Sequence, residues 1–74
     1  MNWKEIISNR TPVQTKDLTR FGYVAGEYQD SLVVIEGKLV SHDYVIPKAK
    51  VDYYDGIKLS LNIRIDEISR DYEL

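Results

Sequence analysis

The sequence predicts a mainly β fold: a small antiparallel β-barrel of five or six short strands, with short helical turns at its ends. Three observations predict it. Ile57, Leu59, Leu61, Ile63 and Ile65 alternate with Lys58, Ser60, Asn62 and Arg64, the period of a half-buried strand. Ala49, Val51 and Tyr53 alternate in the same way just before it, and Asp55-Gly56 between the two runs is a hairpin signal. Further short apolar runs are separated by polar or glycine-containing turns along the rest of the chain, the layout of a small barrel or sandwich.

The stretch from Tyr44 to Ile63 is the most strongly patterned and supplies much of the expected core. Parity predicts its register. Residues opposite each other on antiparallel strands share a face. A three-residue loop, Tyr54-Asp55-Gly56, pairs Tyr53 with Ile57, Val51 with Leu59 and Ala49 with Leu61, which gathers the apolar residues on one side. It also sets Asp52 opposite Lys58. Such a loop is a type I turn followed by a left-handed residue, and Gly56 suits that position. Pro47 lacks a backbone donor, so a corner is expected between a strand ending near Ile46 and one beginning near Lys48.

The segment Asn2 to Ser8 spaces Trp3, Ile6 and Ile7 as one or two helical turns, with Asn2 as N-cap and Glu5 three residues on. Trp3 is expected to anchor that helix on the core. Thr11 to Thr15 reads as a short strand that Pro12 starts or edges, and Lys16 to Arg20 as a polar turn. Phe21 to Tyr28 is a strand whose Gly22 and Gly26 predict a bulge, a bend or a close backbone approach. Those glycines lack the lysine and following helix of a phosphate loop. Gln29-Asp30 turns the chain. Ser31 to Ile35, SLVVI, is the expected most buried strand. Glu36-Gly37-Lys38 is a turn, Leu39 to Ile46 is extended, and Asp66 to Tyr72 is a terminal helix whose first acids suit its dipole.

All 74 residues read as a single domain, 1–74, with 43% apolar and 30% charged residues, ordinary for a folded protein. A net charge of −2 sets up no global field to recruit nucleic acid or anionic membrane. The absence of cysteine excludes disulfides, thiol chemistry and cysteine zinc sites. No apolar run is long enough to span a membrane and no signal-peptide core is present, so a cytoplasmic protein is expected. Asn9-Arg10-Thr11 fits a glycosylation acceptor and reads as chance.

Two stretches resemble the PRC-barrel family. In WKEIISNRTPVQTKDLTRFGYVAGEYQDSLVVI, the run Phe21-Gly22-Tyr23-Val24 stands where that family has an apolar-Gly-x-Val strand. In HDYVIPKAKVDYYDGIKLSLNIRIDEI, Tyr44 to Pro47, Val51, Asp55-Gly56, Leu59 and Leu61 match a Tyr-apolar-Ile-Pro strand, a valine, an Asp-Gly turn and a final apolar strand. The likeness runs from Trp3 to Ile68 and is to a fold, not a chemistry. It implies a non-catalytic adaptor that binds protein, with no cofactor and no shared catalytic residues.

Nothing in the chain argues for an enzyme. His42 is the only histidine, too little for zinc. Ser41, His42 and Asp43 are consecutive, so an extended chain points His42 away from the other two, whereas a triad must converge. Asp55 is accounted for by its turn and Asp52 by pairing with Lys58. No catalytic, cofactor or metal residue is assigned. The candidate interaction surface comprises Tyr23, Tyr28, Lys48, Lys50, Tyr54, Lys58 and Arg64. Lys48, Lys50, Lys58 and Arg64 are expected on the outward face of the central hairpin, with Tyr54 at its turn. A basic face with stacking aromatics makes an RNA- or single-stranded-DNA-binding barrel the alternative function. Asp52 among the lysines and the negative net charge weigh against it. Six tyrosines exceed what one small core readily buries, so a homodimer is expected through the strand near Tyr23 to Tyr28.

Overall fold

The structure is a computed structural model that describes all residues, Met1–Leu74. The elements are α1 (Trp3–Ser8), β1 (Pro12–Gln14), β2 (Arg20–Glu27), β3 (Ser31–Glu36), β4 (His42–Pro47), a 3₁₀ turn (Lys48–Lys50), β5 (Val51–Tyr54), β6 (Leu59–Leu61) and α2 (Ile65–Asp71). The strands make one six-stranded sheet in the order β4-β3-β2-β1-β6-β5. Both expected helical segments form. The Asn2 side chain accepts a hydrogen bond from the Glu5 N–H at 3.1 Å, capping α1 as its sequence predicts. Glu67 accepts from the Arg64 N–H at 3.3 Å at the start of α2. No helix is long and apolar enough to cross a membrane.

The sheet is mixed, not purely antiparallel as expected. β1 runs parallel to β6, with Val13 beside Leu59 and Gln14 beside Ser60. The cause is the corner after Pro47, which is the last residue of β4 and pairs with Ser31. β4 and β5 are the two edges of the sheet, yet only Lys48–Lys50 separate them in sequence. In a flat sheet these edges lie five strand spacings apart, about 24 Å. Three residues of 3₁₀ structure advance only about 6 Å. The sheet therefore curls, and the molecule is nearly isotropic, 27 × 23 × 22 Å. The chain passes the corner without reversing, so β5 keeps the sense of β4 and β6 returns parallel to β1. No ladder joins β4 to β5, so the curled sheet stays open.

The concave side holds the core. Val13, Phe21, Val24, Leu32, Val34, Tyr44, Ile46, Leu59 and Leu61 line it from the strands, and Ile6, Ile63 and Ile68 complete it. Phe21 meets Tyr44 edge to face with centroids 4.8 Å apart. Trp3 packs partly buried against this cluster, as expected. The most buried strand is β6, not β3. Leu59, Ser60 and Leu61 are all buried, whereas β3 buries only Leu32 and Val34 because only one of its faces meets the core.

The central hairpin departs from the predicted register. Val51 lies opposite Leu61, Tyr53 opposite Ser60 and Tyr54 opposite Leu59, with a bulge between Val51 and Tyr53. The loop is four residues, Asp55 to Lys58. Asp55 Oδ1 accepts from the N–H groups of Ile57 at 2.9 Å and Lys58 at 2.8 Å, and this side-chain turn extends the loop. Ile57 is thereby expelled from the predicted core and is 76% exposed. The bulge at Asp52 reverses the parity, so Tyr54 faces the core and Tyr53 faces outward. Lys58 meets Asp55 at 3.0 Å rather than Asp52. Gly56 has the expected positive φ, +92°. Ala49 lies in the 3₁₀ turn, and the strand predicted to reach Ile65 ends at Leu61.

Of the bulge, bend or close approach expected of the β2 glycines, Gly22 makes a close approach. Gly22 has φ +64°, and a Cβ there would lie 2.1 Å from the Ile35 carbonyl oxygen. Pairing shifts register beside it and again between Val24 and Gly26. Gly22→Ala is expected to destabilise by roughly 3 kcal/mol or more, since backbone strain and a backbone clash add. Gly56→Ala, strained but in open space, is expected to lose only about 1 kcal/mol. Urea midpoints of the two variants check this, and a Gly22→Ala protein as stable as Gly56→Ala contradicts it.

Candidate functional site

The residues expected to share a basic face lie on different elements. Lys48 and Lys50 belong to the 3₁₀ turn, Lys58 to the β5–β6 loop, and Arg64 to the approach to α2. Lys48 pairs with Glu27 and stands 5.1 Å from the Trp3 ring centroid. Lys58 pairs with Asp55, and Arg64 lies 3.7 Å from Asp66. Lys50 is exposed, while Tyr54 packs against the core. Because β6 ends at Leu61, Arg64 is not part of that strand. Tyr28 is 62% exposed beyond the end of β2. β2 itself is flanked by β1 and β3, so the strand expected to make the homodimer contact presents a face and no free edge. The His42 imidazole Nδ1 lies 2.7 Å from Glu73 Oε2, and no three His, Cys, Asp or Glu side chains cluster to hold a metal.

Tyr23 does belong to a surface, on the convex side of the sheet. Cross-strand partners share a face. One row runs Asp43, Ile35, Tyr23, Pro12 across β4, β3, β2 and β1. The adjacent row runs Val45, Val33, Gly26. Tyr23, Val33, Ile35 and Val45 are partly exposed and stand outside the core cluster. The space a Cβ at Gly26 would take is open. A second set, Arg20, Gln14, Ser60 and Tyr53, continues the convex face across β2, β1, β6 and β5 and is polar. The Ser60 hydroxyl in it is buried without a hydrogen-bond partner. An antiparallel sheet with one wet face alternates apolar and polar residues. Here β2, β3 and β4 are apolar on both faces.

Charges of opposite sign stand at the two ends of the apolar row. Asp43 is exposed at the β4 end. At the other end the Arg10 guanidinium carbon lies 5.9 Å from the Tyr23 ring centroid. Neither makes an ion pair. Arg10 follows α1 at φ +47°, a left-handed position after a helix end that glycine usually takes. The outer edge of β4 is closed off: the Val45 N–H donates to the Tyr72 carbonyl at 3.0 Å and the Leu74 N–H to the Asp43 carbonyl at 2.9 Å. The β4 edge is thus covered by the chain itself, whereas Tyr23, Val33, Ile35 and Val45 stay partly exposed.

A separate cleft of about 310 Å³ opens between the β1–β2 and β5–β6 turns, lined by Val13, Gln14, Leu18, Arg20, Ile57 and Lys58. Both turns are clamped by an aspartate. Thr15 donates its hydroxyl to Asp17 and accepts from the Thr19 N–H at 3.1 Å, and Asp17 also accepts from the Ile65 N–H at 3.3 Å. Leu18 is held at φ +64° and is 76% exposed. Ile57 faces it from the turn that Asp55 organises. These two exposed aliphatic side chains were missed by the sequence reading, since both lie in segments read as turn or core. Comparison of the chain with protein-family models, curated proteins and solved structures finds no match.

The hydrogen bonds to Asp55 hold its carboxyl at about 2, below the usual 3.8, chiefly through the Lys58 and Ile57 amides. A depressed folded value contributes stability that is present above pH ~4 and lost as pH falls toward ~2. Asp17 shifts in the same direction through its bond to Thr15. The urea midpoint is therefore expected to drop between pH 4 and 2, and to drop less steeply in Asp55→Asn. An unchanged slope in that variant contradicts the assignment.

Proposed function

We propose that the protein is a non-catalytic interaction module that docks a protein partner on the convex face of β2, β3 and β4. One observation carries this: Tyr23, Val33, Ile35 and Val45 are cross-strand neighbours on the convex face that stay partly exposed and stand outside the core cluster. Contiguous apolar surface on a small protein marks a contact site. The resemblance of the sequence to PRC barrels supports the same reading. Fewer features favour a nucleic-acid-binding barrel. Lys48, Lys58 and Arg64 lie on different elements, each beside an acid, and a strand-binding groove needs its cations in line.

A second copy of the chain is the simplest partner. The row from Asp43 to the neighbourhood of Arg10 crosses four strands, about 14 Å, with an acid at one end and a base at the other. A two-fold rotation that stacks two such faces brings each acid onto the partner's base. The whole surface is 4858 Å². An interface of about 600–800 Å² per copy is then near the lower end of stable complexes, which fits a dissociation constant of tens of micromolar.

Sedimentation equilibrium from about 10 μM to about 1 mM tests this. The weight-average mass is expected to climb from the 8.6 kDa protomer toward twice that value. Val33→Lys is expected to abolish the rise without lowering the melting temperature. Arg10→Glu and Asp43→Lys should each weaken association about ten-fold, and the double exchange should restore it. A single protomer mass across the whole range contradicts self-association. Association that survives Val33→Lys contradicts this face.

A further inference from the structure

We propose that the cleft between the β1–β2 and β5–β6 turns binds an acidic peptide segment, taking one apolar side chain between Leu18 and Ile57 and its flanking carboxylates on Arg20 and Lys58. This site is separate from the convex apolar row. Two features that each run against local preference converge on it. Leucine at φ +64° is strained where glycine or asparagine is at ease, and it is 76% exposed. Isoleucine at 57 occupies a turn position where a polar residue is ordinary, and it is equally exposed. The backbone of each turn is held by aspartate bonds, so the two apolar side chains project from ordered turns before any ligand arrives. Pre-organisation of this kind lowers the entropy lost on binding.

The chemistry of the lining selects the ligand. Leu18 and Ile57 supply the apolar surface, with the fully buried Val13 behind them, and about 310 Å³ is the low end of ligand-sized clefts, enough for one large side chain and its neighbours. Arg20 is exposed and makes no ion pair. Its planar fork suits a carboxylate. Lys58 gives Asp55 one contact and has further N–H groups to offer. Gln14 adds an amide able to bond a peptide backbone. The walls are aliphatic, not aromatic, so they offer no stacking platform for bases, and a peptide fits better than a nucleic-acid strand.

The test is a titration of the ¹⁵N-labelled full chain, followed by amide shifts, with an acetylated, amidated Glu-Leu-Glu-Leu-Glu peptide. Its Gln-Leu-Gln-Leu-Gln counterpart and an oligouridylate serve as the other probes. The acidic peptide is expected to shift the amides of Leu18, Arg20, Ile57 and Lys58 in a saturable way below about 5 mM, and the glutamine peptide to bind about five-fold more weakly. Arg20→Gln should erase that difference. Leu18→Gly keeps the fold, because φ +64° suits glycine, and should lose binding by about five-fold or more. The proposal is overturned by any of four results: no saturable shifts, shifts centred on Tyr23 and Ile35, equal binding by a folded Leu18→Gly, or tighter binding of the oligouridylate at the same amides.

Discussion

Three residues, Lys48–Lys50, tie the two edges of the sheet together, and the rest of the fold follows from that tether. A six-stranded sheet cannot stay flat when its outermost strands are joined across about 6 Å. Curling creates a concave side small enough for twelve residues to fill. It also sets the sense of β5, and hence the parallel contact of β6 with β1. Pro47 suits the start of the corner because it needs no donor there, and the Lys48 N–H reaches back to the Asp30 carbonyl at 2.8 Å. Asn62 closes the other side by donating to the Lys50 carbonyl at 2.7 Å.

Curvature divides the sheet into unequal faces. The concave side is sealed by Ile6, Ile63 and Ile68 from the segments that flank the strands. The convex side is left to whatever residues the strands present outward. On β6 and β1 these are Ser60 and Gln14; on β3 and β4 they are Val33, Ile35 and Val45. A chain this short buries a core worth only a few kcal/mol net, on the order of 3–5. Leaving Val33, Ile35 and Val45 partly exposed gives up some of the burial available to such a core. That imbalance has a physical resolution if the same residues are buried in a complex.

Much of the fold was legible in the sequence. Glycine at 22 and proline at 47 mark backbone constraints that few other residues satisfy, so the close approach and the corner could be read directly. The Asn2 cap is local and equally readable. The hairpin register was not, because parity counting assumes two regular strands. Asp52 bulges out of β5, and Asp55 captures two amides to lengthen the loop. Each change alone moves side chains to the opposite face. The parallel contact of β1 with β6 joins residues far apart in sequence and leaves no local pattern. Of the convex face, Tyr23 is among the residues the sequence singles out, while the run SLVVI reads as the most buried strand. An unbroken apolar run says that both faces need cover, not whether the cover is the same chain.

Solvent exposure of individual methyl groups reports most directly on the central claim, that the convex face of β2 to β4 is left for a partner. The measurement is paramagnetic relaxation of labelled valine and isoleucine methyls by a neutral gadolinium chelate, at about 20 μM and about 1 mM protein. Val33, Ile35 and Val45 are predicted to relax strongly in dilute protein and to become shielded as concentration rises, while Val24 stays shielded throughout and Val40 stays exposed. Shielding of Val33 and Ile35 already in the dilute sample would mean that the chain covers this face itself. Relaxation that never changes with concentration would mean that no second copy docks there.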